Sequence, residues 1–155
     1  MSASLSLDNR SSASLSLDLD NKWSYLKTHG DRGWDAFPSY LDVVVPRFLE
    51  VLAKRELRIT VFVVGQDAAL AKNRAALSSI AAAGHEIGNH SFHHEPWLHR
   101  YSPEEIEEEI ASAEECIANA TGVTPKEPDS ERPQTPAPPL PGAPPMPPAS
   151  TLPGV

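Results

Sequence analysis

Apolar residues recur along the chain at two alternating periods. Between residues 37 and 57, Leu41, Val44, Val45, Phe48, Val51 and Leu52 fall at helical spacing, which predicts a helix with an irregularity at Pro46. Residues 58–65 (Arg-Ile-Thr-Val-Phe-Val-Val-Gly) are β-branched and almost continuously apolar, the pattern of a strand buried on both faces. Residues 67–83 are rich in Ala and Leu, with Leu70, Leu77 and Ile80 on one helical face and Gly84 placed to stop the helix. His85-Glu86-Ile87-Gly88-Asn89 reads as a short strand. The next helix carries the fullest set of marks. Ser102 is an N-cap, Pro103 fits the first turn, Glu105 completes a capping box, and Gly122 ends a stripe formed by Ile106, Ile110, Ala113, Ile117 and Ala120. Seven glutamates between positions 104 and 115 read as its solvated face, loading the positive helix start.

Upstream, residues 2–8 (SASLSLD) reappear as residues 12–18, and Ser-Leu alternation has the period of a half-buried strand. Only the second copy runs on into Leu19-Asp20-Asn21, so it is taken as the first strand and the first copy as a disordered leader. Strand, helix, strand, helix, short strand, helix is the order of parallel βα units, whose chemistry gathers at the C-terminal ends of the strands.

Composition divides the chain. Of the 16 prolines, 12 lie in residues 125–155, a stretch with no aromatic residue, and several Pro-x-x-Pro registers run from Pro136 to Pro148. A disordered tail is the better reading of that composition than a ligand for an aromatic groove, because no basic residue sits beside the proline run. Residues 1–11 are therefore assigned to the leader, 12–125 to the folded unit and 126–155 to the tail. A formal net charge of −8 disfavours nucleic acid as a partner. No run of 18 apolar residues points to a membrane span, and no signal peptide is recognisable, so a cytoplasmic location is expected. Cys116 has no partner for an internal disulfide and reads as a packing residue.

Two polar clusters follow strands. Asp18 and Asp20 are two apart, so within a strand they project to one face. Taken alone they are as well explained by a loop cap as by catalysis. Five of the six histidines lie between positions 85 and 99, and His90 and His94 are four apart. On one helical turn that spacing gives a metal-ligand pair, although surface histidines show it as well. Two imidazoles and one carboxylate leave open positions on an ion, and a second carboxylate beside them can take a proton from water. That set suits hydrolysis of an amide or ester.

The segment Ala83-Gly84-His85-Glu86-Ile87-Gly88-Asn89-His90-Ser91-Phe92-His93-His94, together with Asp18-x-Asp20, resembles the NodB-type polysaccharide deacetylases of the carbohydrate esterase 4 group. The resemblance implies an α/β fold, a partial (β/α) barrel of the NodB / glycoside hydrolase-deacetylase type. It implies Asp18 as general base, Asp20, His90 and His94 as ligands of a divalent metal, usually Zn2+, and an acetylated carbohydrate as substrate, deacetylated by attack of activated water. The Asp-x-Asp departs from the commoner Thr-Phe-Asp-Asp-Gly of that group. Trp23 and Trp97 follow the two motifs and are candidates to stack on a sugar ring, with burial at the barrel rim as the alternative. The resemblance stops near Pro125: the expected Arg-containing third motif does not follow it, and no His occurs after His99 to act as general acid. His93 is the one nearby substitute, but consecutive side chains at 93 and 94 diverge. The alternative is therefore a catalytically inactive, truncated deacetylase fragment that at most binds a metal or a partner. Strand edges left uncovered in a part-barrel also predict self-association.

Overall fold

The computed structural model describes residues 13–125. The first copy of the repeat and the proline-rich tail lie outside the described residues.

Three strands, β1 (Ser16–Leu19), β2 (Thr60–Val63) and β3 (Glu86–Asn89), form a parallel sheet in the order β1-β2-β3. Parallel pairing requires a crossover between strands, and helices supply it. α1 (Lys22–Thr28) and α2 (Leu41–Lys54) lie between β1 and β2, α3 (Gly65–Ala68) and α4 (Arg74–Ala82) between β2 and β3, and α5 (Pro103–Thr121) follows β3. The expected α/β architecture is present as a part-barrel of βα units, with the second repeat copy contributing β1.

Strand alternation sorts the two faces. Leu19, Val61, Val63 and Ile87 join Leu41, Val45, Leu52, Leu77, Ile80, Ala113 and Ile117 of α2, α4 and α5 in one continuous core. The other face is built from register rows Ser16–Thr60–Glu86 and Asp18–Phe62–Gly88. Ser16, Asp18 and Glu86 are exposed there, and Thr60 Oγ1 donates to Glu86 across β2 and β3. A Cβ at Gly88 would stand 2.5 Å from the Phe62 ring, so glycine is what lets that ring lie over β3.

The helices follow their sequence marks unevenly. Ser102 Oγ accepts from the Glu105 N–H at 3.2 Å, and Glu105 Oε2 accepts from the Ser102 N–H at 2.7 Å, completing the capping box of α5. Gly122 closes that helix in the left-handed conformation. α2 runs through Pro46 without a break. Pro46 and Asp42 are both exposed, so the carbonyl that Pro46 leaves free faces solvent.

Two expectations are corrected and one element is added. The helix expected over residues 67–83 is divided into α3, a 3-10 turn at Ala71–Asn73 and α4. Asn73 Nδ2 donates to the Asp67 carbonyl at 2.9 Å and folds the segment back, which leaves Leu70 40% exposed instead of on the core face. α1 was not expected: seven residues are too few to show a period, and it is held by the burial of Trp23 and Ser24. On α5, Glu104, Glu105, Glu107, Glu108 and Glu115 are exposed as expected, but Glu109 is buried. Among the described residues no helix is long and apolar enough to cross a membrane.

Gly65, the first residue of α3, sets the approach of α5. A Cβ there would lie 2.7 Å from Ala113 Cα and 2.7 Å from the Phe92 ring. Backbone cannot yield as a side-chain tip does, so Gly65→Ala is expected to destabilise the chain by about 1–3 kcal/mol, read from urea unfolding.

Candidate metal centre

Asp20 directly follows β1 and its approach, and His90 directly follows β3. The Asp20 carboxylate is mostly buried, and its Oδ1 lies 3.5 Å from His90 Nε2 and 3.4 Å from His94 Nε2. The two imidazole centroids are 4.9 Å apart, and the His90 ring stands 6.2 Å from Phe62. Ligand atoms of Asp20, His90 and His94 all lie within 4.8 Å of one another.

His94 does not reach this position on a helical turn. Residues 90–94 are a loop, with φ of +58° at Ser91 and +51° at His94. Left-handed backbone at non-glycine residues costs on the order of 1 kcal/mol each and persists where surrounding contacts dictate it. Those contacts are abundant here. The Ser91 N–H donates to Asn89 Oδ1 at 2.9 Å, and the Phe92 and His93 N–H groups donate to Glu109 Oε2 at 2.9 and 3.0 Å. The Ser91 and Phe92 carbonyls accept from the Gly65 and Gln66 N–H groups at 2.9 and 3.0 Å. Lys27 Nζ donates to the His93 carbonyl at 3.1 Å and pairs with Glu95.

The Asp20 limb is held differently. Tyr40 Oη donates to the Asp20 carbonyl at 3.1 Å, and Tyr25 Oη donates to Asp20 Oδ2 at 3.4 Å, leaving Oδ1 toward the imidazoles. The Asp20 charge beside the Tyr25 phenol raises its pKa above the ordinary value, followed by burial, so it remains a donor. The next residue, Asn21, donates its Nδ2 to Asp67 Oδ1 at 3.0 Å and to Ser39 Oγ at 2.8 Å. Trp23 Nε1 also donates to Asp67 Oδ1, at 3.0 Å. Asp67 is fully buried, its Oδ2 has no hydrogen-bond partner, and burial raises its carboxyl pKa despite the Asn21 and Trp23 bonds.

Asp20 Oδ1 and His94 Nδ1 are also buried without a hydrogen bond. A buried carboxylate oxygen of that kind is costly unless something positive meets it. Tetrahedral Zn–N and Zn–O bonds of about 2.0–2.2 Å separate their ligand atoms by roughly 3.3–3.5 Å, which is the spacing found from Asp20 Oδ1 to each Nε2. The residues present fit a divalent ion.

Three of the sequence candidates, Asp20, His90 and His94, thus come together. Asp18 is exposed on the open sheet face, in register with Phe62 and outside that three-atom cluster. Trp23 is 5% exposed, packed 5.8 Å from the Trp34 ring, and has no face free for a sugar, which corrects its assignment as a substrate contact. Trp97 is 59% exposed, its ring 6.3 Å from that of His99 in a T-shaped arrangement. Asp67, Glu109, Tyr25 and Lys27 were not assigned from the sequence. Glu109 did leave a mark: it stands three residues after Ile106 and four before Ala113, within the apolar stripe.

The sequence profile described as polysaccharide deacetylase matches residues 31–127. The chain belongs to the polysaccharide deacetylase family. The peptidoglycan-N-acetylmuramic acid deacetylase PdaA of Bacillus subtilis is 36% identical over 84 residues, covering 54% of this chain and 30% of that protein. A chitooligosaccharide deacetylase of Azorhizobium caulinodans is 35% identical over 80 residues, covering 51% of this chain and 36% of the relative. The match thus spans about a third of each of these curated relatives. A family 4 acetyl xylan esterase from Clostridium thermocellum, solved with a cobalt ion, superposes with a TM-score of 0.54 at 29% identity, over 73% of this chain and 45% of the esterase.

Asp67→Ala removes the acceptor of two buried donors and is expected to cost about 2–4 kcal/mol in urea unfolding. Asp67→Asn keeps a carbonyl for both and removes the buried charge. Because the folded carboxyl lies above its ordinary 3.8, its stabilising contribution is present at acid pH and fades as pH rises through the folded value. The Asn variant is therefore expected to gain on the wild type as the pH of the urea titration is raised from 4 toward neutrality.

Proposed function

We propose that this member of the family is a metal-dependent hydrolase that removes acetyl groups from an N-acetylated carbohydrate, with Asp20, His90 and His94 as ligands and Zn2+ as the ion. The observation that carries the reading is Asp20 Oδ1, buried without a hydrogen bond and facing two imidazole Nε2 atoms at ion-ligand spacing. The substrate class is supported by the deacetylase relatives of peptidoglycan and chitooligosaccharide.

A divalent ion at this position would supply Lewis acidity and bring water toward a neutral pKa. Asp18 is exposed on the open face of the strand that leads to Asp20, and in this reading its carboxylate would be the base that takes a proton from the attacking water. Tyr25 keeps Asp20 Oδ2 occupied through a proton it does not readily give up. Trp97 offers an exposed ring beyond the histidine loop as a platform for a sugar.

The test pairs metal content with acetate release from N-acetylglucosamine oligomers. About one zinc ion per chain is expected in the purified protein, lost in Asp20→Ala and His90→Ala, with acetate release abolished by a chelator. Asp18→Asn is expected to keep the ion and lose about 10²–10⁴-fold in rate. Full activity in Asp18→Asn rejects its role as base, and a metal-free wild type rejects the reading of the site.

A further inference from the structure

We infer that Glu109 is a positioning residue of the metal centre: its buried carboxylate fixes the backbone between His90 and His94, so that both imidazoles reach Asp20. The inference rests on the metal-binding reading of those three residues and adds a role for a side chain that touches none of them.

Glu109 is 7% exposed on a helix otherwise lined with solvated glutamates. Both of its oxygens are used on one loop. Oε2 accepts from two successive backbone N–H groups, Phe92 at 2.9 Å and His93 at 3.0 Å, and Oε1 pairs with His93 Nδ1. Two neighbouring N–H groups converge on one oxygen, so a single acceptor ties both residues to α5. The points of attachment matter most. Residues 92 and 93 are bracketed by the two imidazole ligands, and His94 follows them in a left-handed conformation. Displacement at 92 or 93 therefore carries the His94 ring with it.

The carboxylate is itself fixed. Burial alone would push its pKa up, but the His93 ring and the two backbone N–H groups outweigh it and hold it below the ordinary range. α5 is tied to the sheet at the adjacent residue, where the Ile110 carbonyl accepts from Asn89 Nδ2 at 2.9 Å. It also packs against Gly65 through Ala113. Glu109 thus relays the position of a rigid helix to a loop that lacks regular structure, and partners outside a ligand shell typically change metal affinity by about 10–100-fold.

The experiment measures Zn2+ affinity of the full chain by competition with a chromophoric chelator, alongside thermal unfolding of the metal-free protein. Glu109→Ala is expected to weaken Zn2+ binding by about 10–100-fold. Glu109→Gln retains a carbonyl for both N–H groups and is expected to restore binding to within about threefold of wild type, a rescue that a charge requirement would not allow. The core variant Leu77→Ala, which lowers the melting temperature without touching the loop, is expected to leave the affinity of the folded protein unchanged. Glu109→Ala binding Zn2+ within about twofold of wild type, whatever its melting temperature, overturns the inference alone. Glu109→Gln as weak as Glu109→Ala overturns the backbone role. A wild type that binds no Zn2+ overturns the reading of the centre and this inference with it. Should Glu109→Ala not fold, amide exchange in the metal-free wild type decides. Phe92 and His93 protected by about 100-fold or more over free peptide support the role, and free-peptide exchange overturns it.

Discussion

Leu19, Val63 and Asn89 stand in one register row across the sheet, and the candidate centre depends on that alignment. The next residues on the two outer strands are Asp20 and His90, which therefore emerge at the same height and on the same face. Two strand spacings, roughly 9–10 Å, separate their backbones. A short carboxylate and longer imidazoles can close that gap only if the middle strand leaves room. It does so by ending at Val63, after which Val64 leads the chain away into α3 at Gly65. A slip of one residue in either pairing would send one ligand to the opposite face of the sheet.

Two buried carboxylates flank this arrangement and experience opposite electrostatics. Asp67 receives neutral side-chain donors from Asn21 and Trp23 on a single oxygen, while its other oxygen has no partner. Desolvation prevails, and its pKa rises. Glu109 has both oxygens engaged by backbone N–H groups and a histidine, and its pKa falls. Depth of burial and the number and kind of donors together decide the sign in each case. The first carboxylate organises the chain after β1, the second the chain after β3, so each ligand limb is supported by an acid contributed from another element.

Sequence patterning was most informative where a local rule and the tertiary structure agree. The apolar run around Val61 and Val63 gave β2, and Ser102, Pro103, Glu105 and Gly122 marked both ends of α5 because caps are satisfied within a few residues. The histidine pair was recognisable as a candidate ligand set, and the structure brings both rings to Asp20, yet the helical turn inferred from their spacing is a loop. Four-residue separation does not distinguish a helical turn from a backbone bent at Ser91 and His94 by contacts from α3, α1 and α5. α1 was illegible for a similar reason, since Asn21 and Trp23 are held by Asp67 from far along the chain, whereas the break after Ala68 turns on Asn73 reaching back to the Asp67 carbonyl. Trp23 was read from its place beside a motif, and only the partner of its indole N–H shows that it supports the site from beneath.

β1 and β3 are the two edges of the described sheet, and each would ordinarily fray on its own. Asp20 belongs to the chain leaving one edge, His90 and His94 to the chain leaving the other. A single ion bound to all three would join the first strand to the last and make departure of either edge conditional on breaking the whole cluster. In a chain with one cysteine, Cys116, and hence no internal disulfide, such a clasp would tie the loss of either edge strand to the loss of the other.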